Sequence, residues 1–78
     1  MISNFDKEIG GVLFEFRTMN VKRLQLFQVY LQEGGRRRRF HMQVKPDGNF
    51  SITDPSSCPE QALALEQELN LAILAQQE

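Results

Sequence analysis

Phe27-Gln28-Val29-Tyr30-Leu31-Gln32-Glu33-Gly34-Gly35-Arg36-Arg37-Arg38-Arg39-Phe40-His41-Met42 is the stretch whose reading decides the fold. Phe27, Val29 and Leu31 alternate with Gln28, Tyr30 and Gln32, the period-two pattern of a strand with one buried face. A helix is the rival reading. The β-branched and aromatic residues, and the Gly-Gly that follows, favour a strand ending in a turn.

A two-residue turn at Gly34-Gly35 sets Glu33 opposite Arg36. Counting back, Leu31 meets Arg38, Val29 meets Phe40 and Phe27 meets Met42. The apolar residues of both strands then share one face, which a buried face requires. Gln32 with Arg37, Tyr30 with Arg39 and Gln28 with His41 share the other. Strand geometry therefore divides the four arginines two and two. Arg37 and Arg39 point with Tyr30, His41, Gln43 and Lys45. Arg36 and Arg38 point to the core side, and since neither can be buried unpaired they should lie at the hairpin tip, beyond the helix.

Working outward, Lys22 to Gln32 forms the whole of that first strand, placing Leu24 and Leu26 with Tyr30. Before it, Gly11 to Arg17 alternates Val12, Phe14 and Phe16 with Leu13, Glu15 and Arg17, a second half-buried strand. Residues 1–9 are expected to form one helical turn, capped by Ser3 or Asn4 and stopped by Gly10-Gly11, or else a disordered arm. After the hairpin, Lys45-Pro46-Asp47-Gly48-Asn49 is a turn. A three-residue loop with Gly48 in the left-handed conformation pairs Val44 with Phe50 and Met42 with Ile52, keeping one buried face through a short strand at Asn49 to Thr53.

Asp54-Pro55-Ser56-Ser57 breaks the sheet. Ser57-Cys58-Pro59-Glu60 matches a capping box, and a helix is expected over 58–76. Ala62, Leu65, Leu69, Ala72 and Ile73 recur at helical spacing and should cover the sheet. The expectation is one α+β domain over residues 1–78: an N-terminal arm (1–9), a four-stranded antiparallel meander (11–53) and one helix (58–76) on one face.

Composition narrows the function classes. Seventy-eight residues with 41% hydrophobic and 24% charged residues suit one small globular domain. Net charge is −1, so nothing global draws the chain to nucleic acid or anionic lipid. Cys58 is the only cysteine, so no disulfide staples the fold, which favours a reducing, cytoplasmic setting. The first ten residues lack the apolar region of a signal peptide, and no run is long enough for a membrane span.

Two surfaces are candidate sites. Tyr30, Arg37, Arg39, His41 and Lys45 form a basic face able to hold the phosphates of RNA or single-stranded DNA, although Tyr30 is its only stacking aromatic. If Glu15 or Glu33 pairs off those arginines, the run reads instead as a solvated hairpin. Leu13, Leu24 and Leu26 on the outer sheet face, with Leu63, Leu71 and Leu74 off the core stripe of the helix, are candidate interface residues for a protein partner or a homodimer. The arm, with Ile2, Phe5 and Ile9, is the alternative cover for one of these patches. A cysteine enzyme would need Cys58 beside a base, and His41 projects from the opposite side of the sheet. No metal-ligand spacing or phosphate-cradling loop is present, so no cofactor or metal is expected. The reading is a non-enzymatic binding protein acting through protein contacts, with nucleic-acid binding as the alternative.

Overall fold

The computed structural model describes residues 4–19 and 26–76. Among these residues five strands form one antiparallel sheet in chain order: β1 (Phe5–Ile9), β2 (Val12–Thr18), β3 (Leu26–Glu33), β4 (Arg36–Val44) and β5 (Phe50–Ile52). The expected meander therefore has five strands rather than four. The added strand is the arm, which is β1 and not a helical turn.

The reason lies at Gly10 and Gly11. Both have positive φ, 61° and 79°, as Gly34 and Gly35 do at 58° and 81°. Two consecutive left-handed residues make the two-residue turn whose twist matches a hairpin, so the pair reverses the chain instead of ending a helix. Ile9 then faces Val12, Lys7 faces Phe14 and Phe5 faces Phe16. The Phe5 ring stacks on Phe16 at 4.4 Å between centroids, a gain beyond simple burial that one isolated helical turn would lack.

The central hairpin has the register the sequence predicts, from Glu33 opposite Arg36 to Phe27 opposite Met42. β2 joins it with Phe14 opposite Leu31 and Phe16 opposite Val29. The Pro46–Gly48 loop has three residues: the Lys45 amide donates to the Asn49 carbonyl at 2.7 Å and Gly48 has φ 88°. Val44 thus faces Phe50 and Met42 faces Ile52.

The helical segment departs from expectation. The single helix over 58–76 is two pieces, α1 (Glu60–Leu63) and α2 (Glu66–Leu74), preceded by a 3-10 turn at Pro55–Ser57. Ser57 does not cap α1. Its hydroxyl and that of Ser56 each donate to the Asp54 carboxylate at 2.8 Å, and Pro59 occupies the cap position. No glycine or proline marks the break at Ala64-Leu65. Leu65 leaves helical geometry (φ −108°, ψ 13°) where its side chain lies against Gly10 of the β1–β2 turn.

Phe14, Phe16, Phe27, Val29, Leu31, Phe40, Met42, Phe50 and Ile52 line the inner face of the sheet, and Cys58, Ala62, Leu69, Ala72 and Ile73 close over them. Edge-on phenylalanine contacts run through the middle, Phe16 to Phe27 to Phe50. Fully burying each such side chain contributes about 1.5–3 kcal/mol. α2 packs against both edge strands, β5 and β1. The sheet accordingly curls into a half-barrel with α2 across its opening.

Candidate functional site

The outer sheet face is built by the residues that alternate with the core. Tyr30, Arg37, Arg39 and His41 lie on it as expected, with Glu15 facing Tyr30 and Tyr30 facing Arg39 across the strands. Glu15 lies at the centre of an ion-pair chain. One of its oxygens, Oε1, accepts from Arg17 and from Arg37, each at 3.2 Å, and Arg17 also donates to Asp6 at 2.9 Å. The Arg37 guanidinium lies 4.0 Å from the Tyr30 ring centre, and the Tyr30 hydroxyl donates to Gln28 at 2.6 Å. The one aromatic face available for base stacking is thus covered by an arginine.

On this face Arg17 and Arg37 are paired with Asp6 and Glu15, while Arg39 lies opposite Tyr30. Lys45 lies at the end of β4 and lines a groove beside α2 instead. Arg36 is exposed and Arg38 half-buried at the hairpin tip.

The candidate interface leucines are dispersed. Leu13 is 55% exposed on the outer face and Leu26 is half-buried. Leu24 lies outside the described residues. Leu63 and Leu74 pack against the core edge, as do Phe5 and Ile9 of β1. Leu71 is different. It is 55% exposed on α2 and borders two grooves. One, about 410 Å³, lies between α2 and β5 and is lined by Lys45, Asn49, Ser51, Glu66, Gln67 and Asn70. The other, about 350 Å³, lies between α2 and β1, with Ile9, Ala72 and Ala75 as its apolar lining and Lys7, Glu8 and Glu68 around it.

The first groove is partly spoken for by the fold. The Phe50 amide donates to Asn70 Oδ1 at 2.7 Å and the Ile52 amide to Glu66 Oε2 at 2.8 Å, while Asn70 Nδ2 donates to Asn49 Oδ1 at 3.1 Å. The outward amides of β5 are therefore satisfied by α2. Nothing in the sequence marks Asn70 and Glu66 for this task, because polar residues on a helix read as solvent-facing.

Cys58 follows the 3-10 turn and is buried. Burial pushes its thiol up to about 11, Glu66 adds to the rise and Arg38 opposes it. That is the reverse of the lowering expected at a helix start, and such a thiol is a poor nucleophile at neutral pH. His41 lies on the other side of the sheet. Among the described residues no cluster of three or more metal-ligating side chains occurs, and no helix is long and apolar enough to cross a membrane. No protein-family model matches the sequence, and comparison with the curated proteins and with the solved structures likewise gives no match.

Proposed function

We propose that this domain is a small non-enzymatic binding protein that engages another polypeptide over the side formed by α2 and β1, with Leu71 as anchor. The observation that carries the reading is Leu71 itself: a large apolar side chain left 55% exposed between two grooves. Exposed apolar surface beside a concavity is what a protein contact uses.

The distribution of charge indicates what kind of partner fits. All nine Lys and Arg residues lie at or before Lys45, and six of the ten acidic residues lie after it. The helical segment is therefore purely acidic, and a partner with basic residues around an apolar anchor complements it. A symmetric contact centred on Leu71 would instead bring the Glu66 and Glu68 sides of two copies together, so a second copy is disfavoured.

The test compares tagged parent with Leu71→Lys, Glu68→Lys and Leu13→Lys variants, all first shown to fold by circular dichroism. The expected result is a defined partner that binds the parent and the Leu13→Lys variant in purified form and loses both others. Binding that survives Leu71→Lys, or that is lost only with Leu13→Lys, overturns the reading. Light scattering across concentrations is expected to give a monomer, and a dimer abolished by Leu71→Lys would replace the foreign partner with a second copy.

A further inference from the structure

We infer that the partner adds an extended segment to the open edge of β1 as a sixth strand, its apolar residues over the β1–α2 groove and its Lys or Arg residues against Asp6 and Glu8. The inference rests on the reading above and specifies the mode and chemistry of that contact.

The two edges of the sheet are not equivalent. On β5 the Phe50 and Ile52 amides are held by Asn70 and Glu66. On β1 no further strand follows among the described residues. The two-residue Gly10-Gly11 turn makes Ile9 and Val12 the first hydrogen-bonded pair, so Lys7–Phe14 and Phe5–Phe16 follow as the others. The N–H and C=O groups of Asp6 and Glu8 consequently point away from β2. Among the described residues nothing bonds to them. An unpaired edge of this kind is a template for another strand.

The groove supplies the second requirement. A strand laid beside β1 alternates its side chains between two faces. Those on the inner side would lie over the groove that Ile9, Leu71, Ala72 and Ala75 line. Those on the outer side would stand beside Glu8 and beside Asp6, whose carboxylate also accepts from Arg17 at 2.9 Å. β1 has five residues, so the matching segment is about 17 Å long.

Charge then selects the occupant. If two copies paired through β1 about Lys7, Lys7 would face Lys7 and Asp6 would face Glu8; centring on Asp6 sets carboxylate against carboxylate. Like charges directly opposite are destabilising, and opposite charges are favourable. The edge therefore repels its own copy and accepts a strand with basic residues at alternate positions.

The test uses an acetylated six-residue peptide alternating valine and lysine, with three controls: its valine–glutamate counterpart, a block-ordered isomer, and a form N-methylated at the amides that would face β1. At saturation the valine–lysine peptide should slow amide exchange at Asp6 and Glu8 about tenfold. The glutamate peptide should bind about tenfold more weakly, and N-methylation should abolish binding. Glu8→Pro removes only an outward N–H and should abolish binding with the fold intact. Glu8→Lys should shift the preference toward the glutamate peptide, which keeps the test decisive if the proline variant misfolds. Binding that perturbs Leu71 and Ala75 but leaves the Asp6 and Glu8 amides unprotected overturns strand addition while the α2 surface stands. Perturbation confined to Arg37 and Arg39 overturns both. No binding at about 1 mM overturns the inference alone, because the Leu71→Lys comparison is made with the native partner.

Discussion

Glu15 decides the character of the outer face. Its Oε1 atom lies 3.2 Å from both Arg17 and Arg37, so one carboxylate offsets two guanidinium groups that would otherwise repel. These side chains are partly exposed, and replacing Glu15 with Gln is expected to cost about 0.2–1 kcal/mol. Urea denaturation at low salt should register that loss, and at about 1 M salt it should shrink as screening weakens the pair. Cys58 provides a residue-scale titration. Its thiol is raised from the ordinary 9.0 to about 11, so between those values the unfolded chain loses a proton that the folded chain keeps. Stability should therefore be unaffected by this group below pH 9 and should fall as pH rises through 9 to 11. Parallel denaturation of the parent and Cys58→Ala should show the parent declining more steeply across that window, and a thiol reagent at pH 8 should react only on unfolding.

At the scale of elements, β5 shows how a three-residue strand at a sheet edge is held. It pairs with β4 on one side, and on the other its amides reach the side chains of α2. Asn70→Ala removes the partner of the part-buried Phe50 amide and the link to Asn49, with an expected cost of about 1–3 kcal/mol. A denaturation midpoint unchanged in Asn70→Ala would show that water replaces the side chain at no cost. Leu65 makes the opposite point about α1 and α2: a residue suited to a continuous helix leaves helical geometry at the place where its side chain lies against Gly10.

At the scale of the molecule, α2 spans from β5 to β1 and the curled sheet carries its core on the concave side. This arrangement sets an acidic helical side against a sheet on whose outer face Arg17 and Arg37 are paired with Asp6 and Glu15. The Arg37→Ala, Arg39→Ala double variant is accordingly expected to bind oligonucleotides no differently from the parent. Fluorescence anisotropy at several salt concentrations checks this: a salt slope reduced by about two units in the double variant would show that both arginines contact phosphate.

Local patterning in the sequence was enough for β2, β3, β4 and β5 and for the register of three of them. Glycine pairs and alternating apolar residues act within one turn and its two strands, so the division of Arg36 to Arg39 between faces was legible from Gly34-Gly35 alone. Strand parity gave the shared outer face of Tyr30, Arg37, Arg39 and His41, whereas lying off the helical stripe did not distinguish exposed Leu71 from Leu63 and Leu74, which pack against the core. What the tertiary structure decided was how the remaining parts meet. Phe5 and Ile9 have spacing that serves a helical turn or a strand equally, and the reversal at Gly10-Gly11 together with the stacking of Phe5 on Phe16 selects β1. The helix break at Leu65, the capping of β5 by Glu66 and Asn70, and the groove beside Leu71 all depend on residues far apart in the chain. Such contacts leave no periodic trace, because they are fixed by where the curled sheet brings β1 and β5 to the two sides of α2.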